Sequence, residues 1–331
     1  MIGVAALSHT KREELFLNTA AKTGLPPAIV EKDFWVCYML DYLFQRSPFG
    51  EHLVFKGGTS LSKAYHLIER FSEDIDLILD WRVLGYKAKE PWENRSNTQQ
   101  DRFNKDAEAR TVSFLKEQMI PVLVSDVSAE IKEPAVFALS DEQEPTVDFV
   151  YPRSFAEQSV LPIIRLEIGA LAAWSPSQPT TIRSFAAEQY PQVFQRADIV
   201  VTTAVAERTF WEKVTILHRE ANRINGAIPA RYSRHYYDLF RMNGTPVMSR
   251  ALSDTKLLED VVAFKSKFYR CPWAKYEEAK RGSMRLVPPD KAILALQLDY
   301  QKMENMIYGE KPGFDKILHS IQNIENQINH I

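Results

Sequence analysis

The sequence predicts an α+β fold, in which a small mixed sheet flanked by helices precedes a largely α-helical C-terminal part. Three observations predict it. Residues 53–79 run through a strand pattern, a glycine pair, a helix pattern and a second strand pattern. Further β-rich runs follow as far as Gly169, and beyond Val205 apolar residues recur almost throughout at helical spacing. The change of pattern divides the chain into two expected domains, 1–203 with the sheet and N-terminal helices and 204–331 with helices alone.

Taken in order, Lys11–Lys22 and Pro27–Phe44 read as helices, the second opened by the Pro26–Pro27 pair, because proline is tolerated in the first helical turn. The run Leu53, Val54, Phe55 suits a short buried strand ending at Gly57 and Gly58, where two glycines let the backbone turn sharply and leave room beside it. Thr59 or Ser60 supplies an N-cap for a helix on which Leu61, Tyr65 and Ile68 share a face and His66 is exposed. Ser72–Leu79 alternates as a second strand, with Ile75 and Leu77 toward the core and Asp74 and Asp76 together on the opposite face. Tyr86–Gln100 is polar and irregular, a loop, and Asp101–Met119 is helical. Strands over Val127–Lys132, Thr146–Tyr151 and Leu161–Gly169 extend the sheet. In the C-terminal part Phe210, Val214, Leu217 and Ala221 form one stripe, and long helices cover Lys256–Phe268, Asp290–Ile307 and Phe314–Ile328.

A chain of 331 residues with 45% hydrophobic and 25% charged residues is long enough to bury a sizeable core and has an ordinary globular composition. It has no apolar stretch approaching the roughly 18 residues of a membrane span and no basic N-terminal leader with an apolar core, so neither secretion nor membrane insertion is expected. Cys37 and Cys271 are too few for a disulfide framework or a zinc site, which points to a reducing cytoplasm, with Cys37 in the core. The seven histidines form no cluster that would support zinc or acid–base chemistry; His218 reads as structural, and His235 could contact substrate.

The net charge of −2 is unevenly placed: Arg208–Arg241 holds seven basic residues against three acidic, and Lys265–Arg285 seven against two. The second window interleaves Phe268, Tyr269, Trp273 and Tyr276 with its cations, a composition able to contact phosphate and stack on bases. The same residues also suit solvated helical faces with buried aromatics.

The unit from Phe55 to Leu79 carries the clearest chemistry. Two carboxylates held side by side repel each other unless a cation lies between them, and hard oxygen ligands suit Mg²⁺ or Mn²⁺. A glycine turn opening a helix attracts phosphate. Gly57, Gly58, Asp74 and Asp76 therefore read as a site for a nucleotide and a divalent metal. Separately, a glycine pair is also an ordinary strand-to-helix turn, and an Asp-x-Asp can be the solvated face of an edge strand; it is their order in one unit that favours the site. Lys213 occupies an apolar sector of its helix, beside Thr209, Phe210, Ile216 and Leu217. Its stem could snorkel over that surface, or its ammonium could meet a triphosphate. Asp238, with Arg234 and Arg241 nearby, could be a surface ion pair of small value.

The words GGTSL, RFSEDIDL and EKDFW resemble the AbiEii/AbiGii toxin family of type IV toxin–antitoxin systems, within the polymerase-β-like nucleotidyltransferase superfamily. Fifteen residues separate Gly58 from Asp74, slightly more than compact members use, and the extra residues fit one more helical turn. TFWEKVTILHRE (209–220) and RYSRHYYDLFRM (231–242) look like the family's later lysine and aspartate motifs, so the resemblance spans about Leu25 to the C-terminus. It implies a polymerase-β-like core whose helical C-terminal domain completes the active site, with Gly57, Gly58, Thr59, Ser60 and Lys213 on the nucleotide, Asp74 and Asp76 on the metal, and catalytic roles for Lys213 and Asp238. A later strand supplies a third carboxylate in the superfamily; Glu167 in IIRLEIGAL fits best, with Asp148 in TVDFVY its rival. The resemblance further implies Mg²⁺ (or Mn²⁺), an NTP substrate, an RNA acceptor such as the 3′ end of tRNA, and a separate antitoxin. A nucleotidyltransferase of this fold acting on a protein or small molecule, and a nucleotide-binding interaction protein without turnover, are the alternatives.

Overall fold

A seven-stranded mixed sheet, in the order β3-β4-β5-β2-β1-β7-β6, organises the N-terminal two-thirds of the protein. The computed structural model describes residues 1–140, 145–157, 160–171, 176–223 and 228–330. The strands are β1 (Leu53–Lys56), β2 (Ile75–Leu79), β3 (Val136–Leu139), β4 (Thr146–Val150), β5 (Ile164–Gly169), β6 (Ser177–Ile182) and β7 (Ile199–Ala204). β2 runs antiparallel to β1 and parallel to β5, and β7 runs parallel to β1.

The helices of this part are α1 (Ile2–Ala5), α2 (His9–Thr23), α3 (Pro27–Gln45), α4 (Gly57–Lys63), α5 (Asn97–Phe114), α6 (Ile120–Ile131) and α7 (Phe185–Gln189). Helix α3 is buried without interruption from Ala28 to Leu43, as expected of a helix apolar on nearly every side. Its Phe34, Trp35, Tyr38 and buried Cys37 join Phe55, Ile75, Leu77, Leu166 and Ile168 in one core on one face of the sheet. Asp76 and Glu167, in the alternate positions of β2 and β5, face the other way.

The chain forms two units, Met1–Ala64 with Ser72–Ala204, and Tyr65–Phe71 with Val205–Ile331. The second contains α8 (Ala206–Ala221), α9 (Ser233–Met242), α10 (Pro246–Ser253), α11 (Thr255–Phe268), α12 (Asp290–Met303) and α13 (Phe314–His330). The segment 65–71 belongs to this unit through the Phe71 N–H, which donates to the Met306 carbonyl at 2.7 Å, and an isolated bridge between Arg70 and Ile307. Among the described residues no helix is long and apolar enough to cross a membrane.

Five local expectations are corrected. Val127–Lys132 is not a strand but mainly the end of α6, ended by Lys132 at φ +60°. Leu123, Val127 and Ile131 lie four residues apart and are all buried, a helical stripe that outweighs their β-branched neighbours. The first-motif helix begins at Gly57 and stops at Lys63, so Thr59 and Ser60 lie inside it, and Tyr65, His66 and Ile68 lie beyond it. His66 is exposed, at φ +51°. The residues between this helix and Asp74 add no helical turn; the backbone pairing of residues 69–71 takes precedence over their apolar spacing. Regular β2 starts at Ile75 rather than Ser72. Finally, α5 enters the expected loop at Asn97, behind a capping box of Ser96 and Gln99.

Candidate active site

The first unit gathers its carboxylates by strand register. Asp76 is the register partner of Glu167 on β5 and of Lys56 on β1, and Glu167 is in turn the partner of Thr146 on β4. A polar row Thr146–Glu167–Asp76–Lys56 thus crosses four strands, with Asp76 and Glu167 half-buried at its centre. Asp74, also half-buried, leads into β2 two residues earlier. Asp148 lies one strand further out, in register with Arg165 and ion-paired to it at 3.7 Å. Glu167, and not Asp148, is therefore the carboxylate adjacent to Asp76.

Gly57 follows Lys56 directly and adopts φ +78°, the left-handed region that favours glycine. A Cβ at this position would lie 1.8 Å from Asp76 Oδ2, so the turn and the carboxylate occupy adjoining space that no side chain can enter. Gly58 falls in the first turn of α4. The Thr59 hydroxyl donates to the Asp74 carbonyl at 2.5 Å and the Ser60 hydroxyl to the Gly57 carbonyl at 2.8 Å. Both hydroxyls tie the turn to itself and to the approach to β2.

Asp74, Asp76 and Glu167 offer the hard oxygens that Mg²⁺ or Mn²⁺ requires. Among the described residues no three His, Cys, Asp or Glu side chains form a ready cage. Mg²⁺ keeps several waters and binds substrate phosphates as well as carboxylates, so the three carboxylates need not close a cage around it by themselves.

In the second unit the predicted Lys213 and Asp238 meet. Lys213 on α8 contacts Asp238 Oδ2 on α9 at 2.7 Å, and Arg70 grips both carboxylate oxygens at 2.7 and 2.8 Å. All three are buried. Asp238 is therefore no surface ion pair, and its partners are not Arg234 and Arg241. Burial opposes its ionisation, yet the two cations outweigh that and hold the carboxyl well below the usual range. One carboxylate serving two cations leaves this cluster with an excess positive charge, and burial together with Arg70 lowers the Lys213 ammonium. Arg70 escaped the sequence reading because it lies far from both motifs in the chain. His235 packs edge-on against Tyr232, and burial, with Lys213 and Arg234 nearby, pushes its imidazole well toward the neutral form.

The basic windows are largely committed internally. Arg208 pairs with Glu212, Arg219 and Arg223 with Glu220, and Arg241 with Glu69. Phe268 and Tyr276 are buried, and the Arg223 guanidinium lies 4.3 Å from the Trp273 ring centre, while Tyr269 is exposed.

Three further charges went unread. Glu31, Lys32 and Asp33 follow one another on α3, and each is buried in a bonded arrangement. Three adjacent charges inside an apolar helix were the available signal, since buried charges must be paired.

MenT4, a nucleotidyltransferase toxin from Mycobacterium tuberculosis H37Rv, is a similar solved structure with 14% identity and a TM-score of 0.47, over 95% of this chain and 99% of that one. No curated protein matches. The model of the AbiEii nucleotidyl transferase toxin family, type IV toxin–antitoxin system, matches residues 39–320 and so begins after EKDFW. The chain belongs to the AbiEii family and is a nucleotidyltransferase toxin of a toxin–antitoxin system.

Proposed function

We propose that the protein transfers an NMP from an NTP to a hydroxyl of RNA, the 3′ end of a tRNA, in a reaction dependent on Mg²⁺ or Mn²⁺, and that a cognate antitoxin restrains it. The observation that carries the proposal is the register pairing of Asp76 with Glu167, with Asp74 two residues upstream and Gly57 against Asp76. Asp74, Asp76 and Glu167 would hold the ion. When bound, it lowers the pKa of the attacking hydroxyl and offsets charge on the α-phosphorus and the departing pyrophosphate. The Gly57–Ser60 turn seats phosphate, with its hydroxyls engaged in shaping the turn and its backbone left to meet the ligand. On the second unit, Lys213 supplies a compact cation for phosphate charge, and Asp238 holds and orients it. In the transfer the acceptor oxygen bonds to the α-phosphorus, the α–β bridging bond breaks, and pyrophosphate leaves.

The acceptor assignment rests on family membership, and the basic composition of residues 208–241 and 265–285 only permits it. Cytoplasmic action follows from the same assignment. The test offers all four α-labelled NTPs with Mg²⁺ to separate pools of total RNA, protein and small molecules. Label in RNA is expected, in the tRNA band. Label in protein or a small molecule but not in RNA would replace the acceptor, and label in no pool would overturn the transfer itself.

A further inference from the structure

Helix α3 brings Lys32 to the two leads that set the carboxylates. Successive helical residues point about 100° apart, and Glu31, Lys32 and Asp33 accordingly reach three different segments of the first unit. Glu31 accepts from the backbone N–H groups of Ser154 and Phe155 at 2.7 and 3.0 Å. Asp33 contacts Lys63 at the end of α4 at 2.7 Å and accepts from the Phe185 N–H. Lys32, with its side chain wholly buried, donates to Glu73 at 2.5 Å and to the Leu161 carbonyl at 2.9 Å. The Leu161 N–H closes the loop by donating to Glu73 at 3.2 Å.

Glu73 directly precedes Asp74, and Leu161 leads into β5, which carries Glu167. Because β2 and β5 are parallel, both leads enter the sheet from the same end. One ammonium thus joins the two chain segments whose relative slide decides whether Asp76 stands beside Glu167. A slip of one residue would turn a carboxylate to the opposite face of the sheet. A buried ion pair is a poor source of stability, since apolar side chains of similar volume often serve as well. What they do not supply is directed bonds to two strand leads at once.

We propose that Lys32, through Glu73 and Leu161, is a positioning residue that sets the spacing of Asp74 and Asp76 against Glu167 for the divalent cation. The inference rests on the carboxylate reading given under Proposed function. Lys32 itself precedes the segment matched by the family, residues 39–320, whereas Glu73 and Leu161 lie within it.

The test measures Mn²⁺ binding to the full-length protein by electron paramagnetic resonance, with a non-transferable NTP analogue present, alongside thermal unfolding. Lys32→Met is expected to weaken Mn²⁺ binding by about 10–100-fold, the range found when groups that orient metal ligands are removed. Lys32→Met/Glu73→Leu removes both charges and is expected to regain the unfolding midpoint while keeping the weakened binding. Native Mn²⁺ affinity in the folded double variant would overturn the proposal, because the pair would then be structural only. Asp76→Ala runs beside them: unchanged Mn²⁺ binding there would overturn the carboxylate reading itself, whatever Lys32 does.

Discussion

Replacing Gly57 by alanine perturbs the candidate site by an amount the geometry defines. Two costs arise at that position. At φ +78° an L-residue costs about 1–2 kcal/mol in the left-handed region. The added Cβ would also lie 1.8 Å from Asp76 Oδ2, 2.5 Å from its Cγ and 2.9 Å from its Cβ. Because the overlap extends to the Cβ, rotating the carboxylate does not relieve it, and the turn and β2 must separate. Gly24 isolates the first cost, since it has φ +73° with open space around its Cβ position. Both variants should lower the unfolding midpoint through the backbone strain, at about 2–4 °C per kcal/mol for a unit of this size, and Gly57→Ala should lower it further through the clash with Asp76. Only Gly57→Ala should move Asp76, and a displacement of about 1 Å near a reacting centre costs about 100-fold in rate. The assay is the initial rate of transfer from an α-labelled NTP, with thermal unfolding in parallel. A Gly57→Ala enzyme that transfers at the wild-type rate would refute the reasoning.

Asp238→Ala leaves Arg70 and Lys213 buried without their carboxylate and should destabilise the second unit by about 3–5 kcal/mol, read by urea unfolding. The Asp238 carboxyl lies below its ordinary value of 3.8, so its contribution is complete above that pH and is lost as pH falls toward the folded value. Wild-type stability should accordingly drop on acidification below about pH 4, and Asp238→Asn should drop less steeply over the same titration. His218 is neutral and buried, its Nε2–H donating to the Lys275 carbonyl and its Nδ1 accepting from the Arg285 N–H, both at 3.1 Å. Burial lowers its pKa from 6.5, so the unfolded chain takes up the proton first, and stability should fall below pH 6.5 by at most about 1.4 kcal/mol per pH unit. Urea midpoints at pH 7.5 and 5.5 should show that His218→Gln loses this slope.

Much of the fold follows from local pattern. Helices α2, α3, α11 and α13, strand β1 and the site strands β2 and β5 all lie within a few residues of their periodic signals. Where the pattern misled, a competing interaction explains why. Valine and isoleucine suggested a strand over Val127–Lys132, yet their spacing of four was helical. Tyr65 and Ile68 kept helical spacing past Lys63, but the backbone pairing of residues 69–71 draws the chain away from α4. For the site, the sequence could nominate Asp74 and Asp76 and favour Glu167 over Asp148, but which of the two stands beside Asp76 is a matter of strand register, which no local pattern records. The partnership of Arg70 with Asp238 spans 168 residues and leaves no local trace. The run Glu31–Lys32–Asp33 did leave one, as consecutive charges in a helix otherwise buried.

The central claim is that Asp74, Asp76 and Glu167 form the metal-holding set for nucleotidyl transfer. It is tested most directly by the initial rate of label transfer from an α-labelled NTP to RNA with Mg²⁺, measured for Glu167→Gln and Asp148→Asn beside Asp76→Ala. Transfer should fall to the level of the blank for Asp76→Ala and Glu167→Gln while Asp148→Asn keeps the wild-type rate; wild-type transfer by folded Glu167→Gln, with Asp148→Asn inactive, would contradict it.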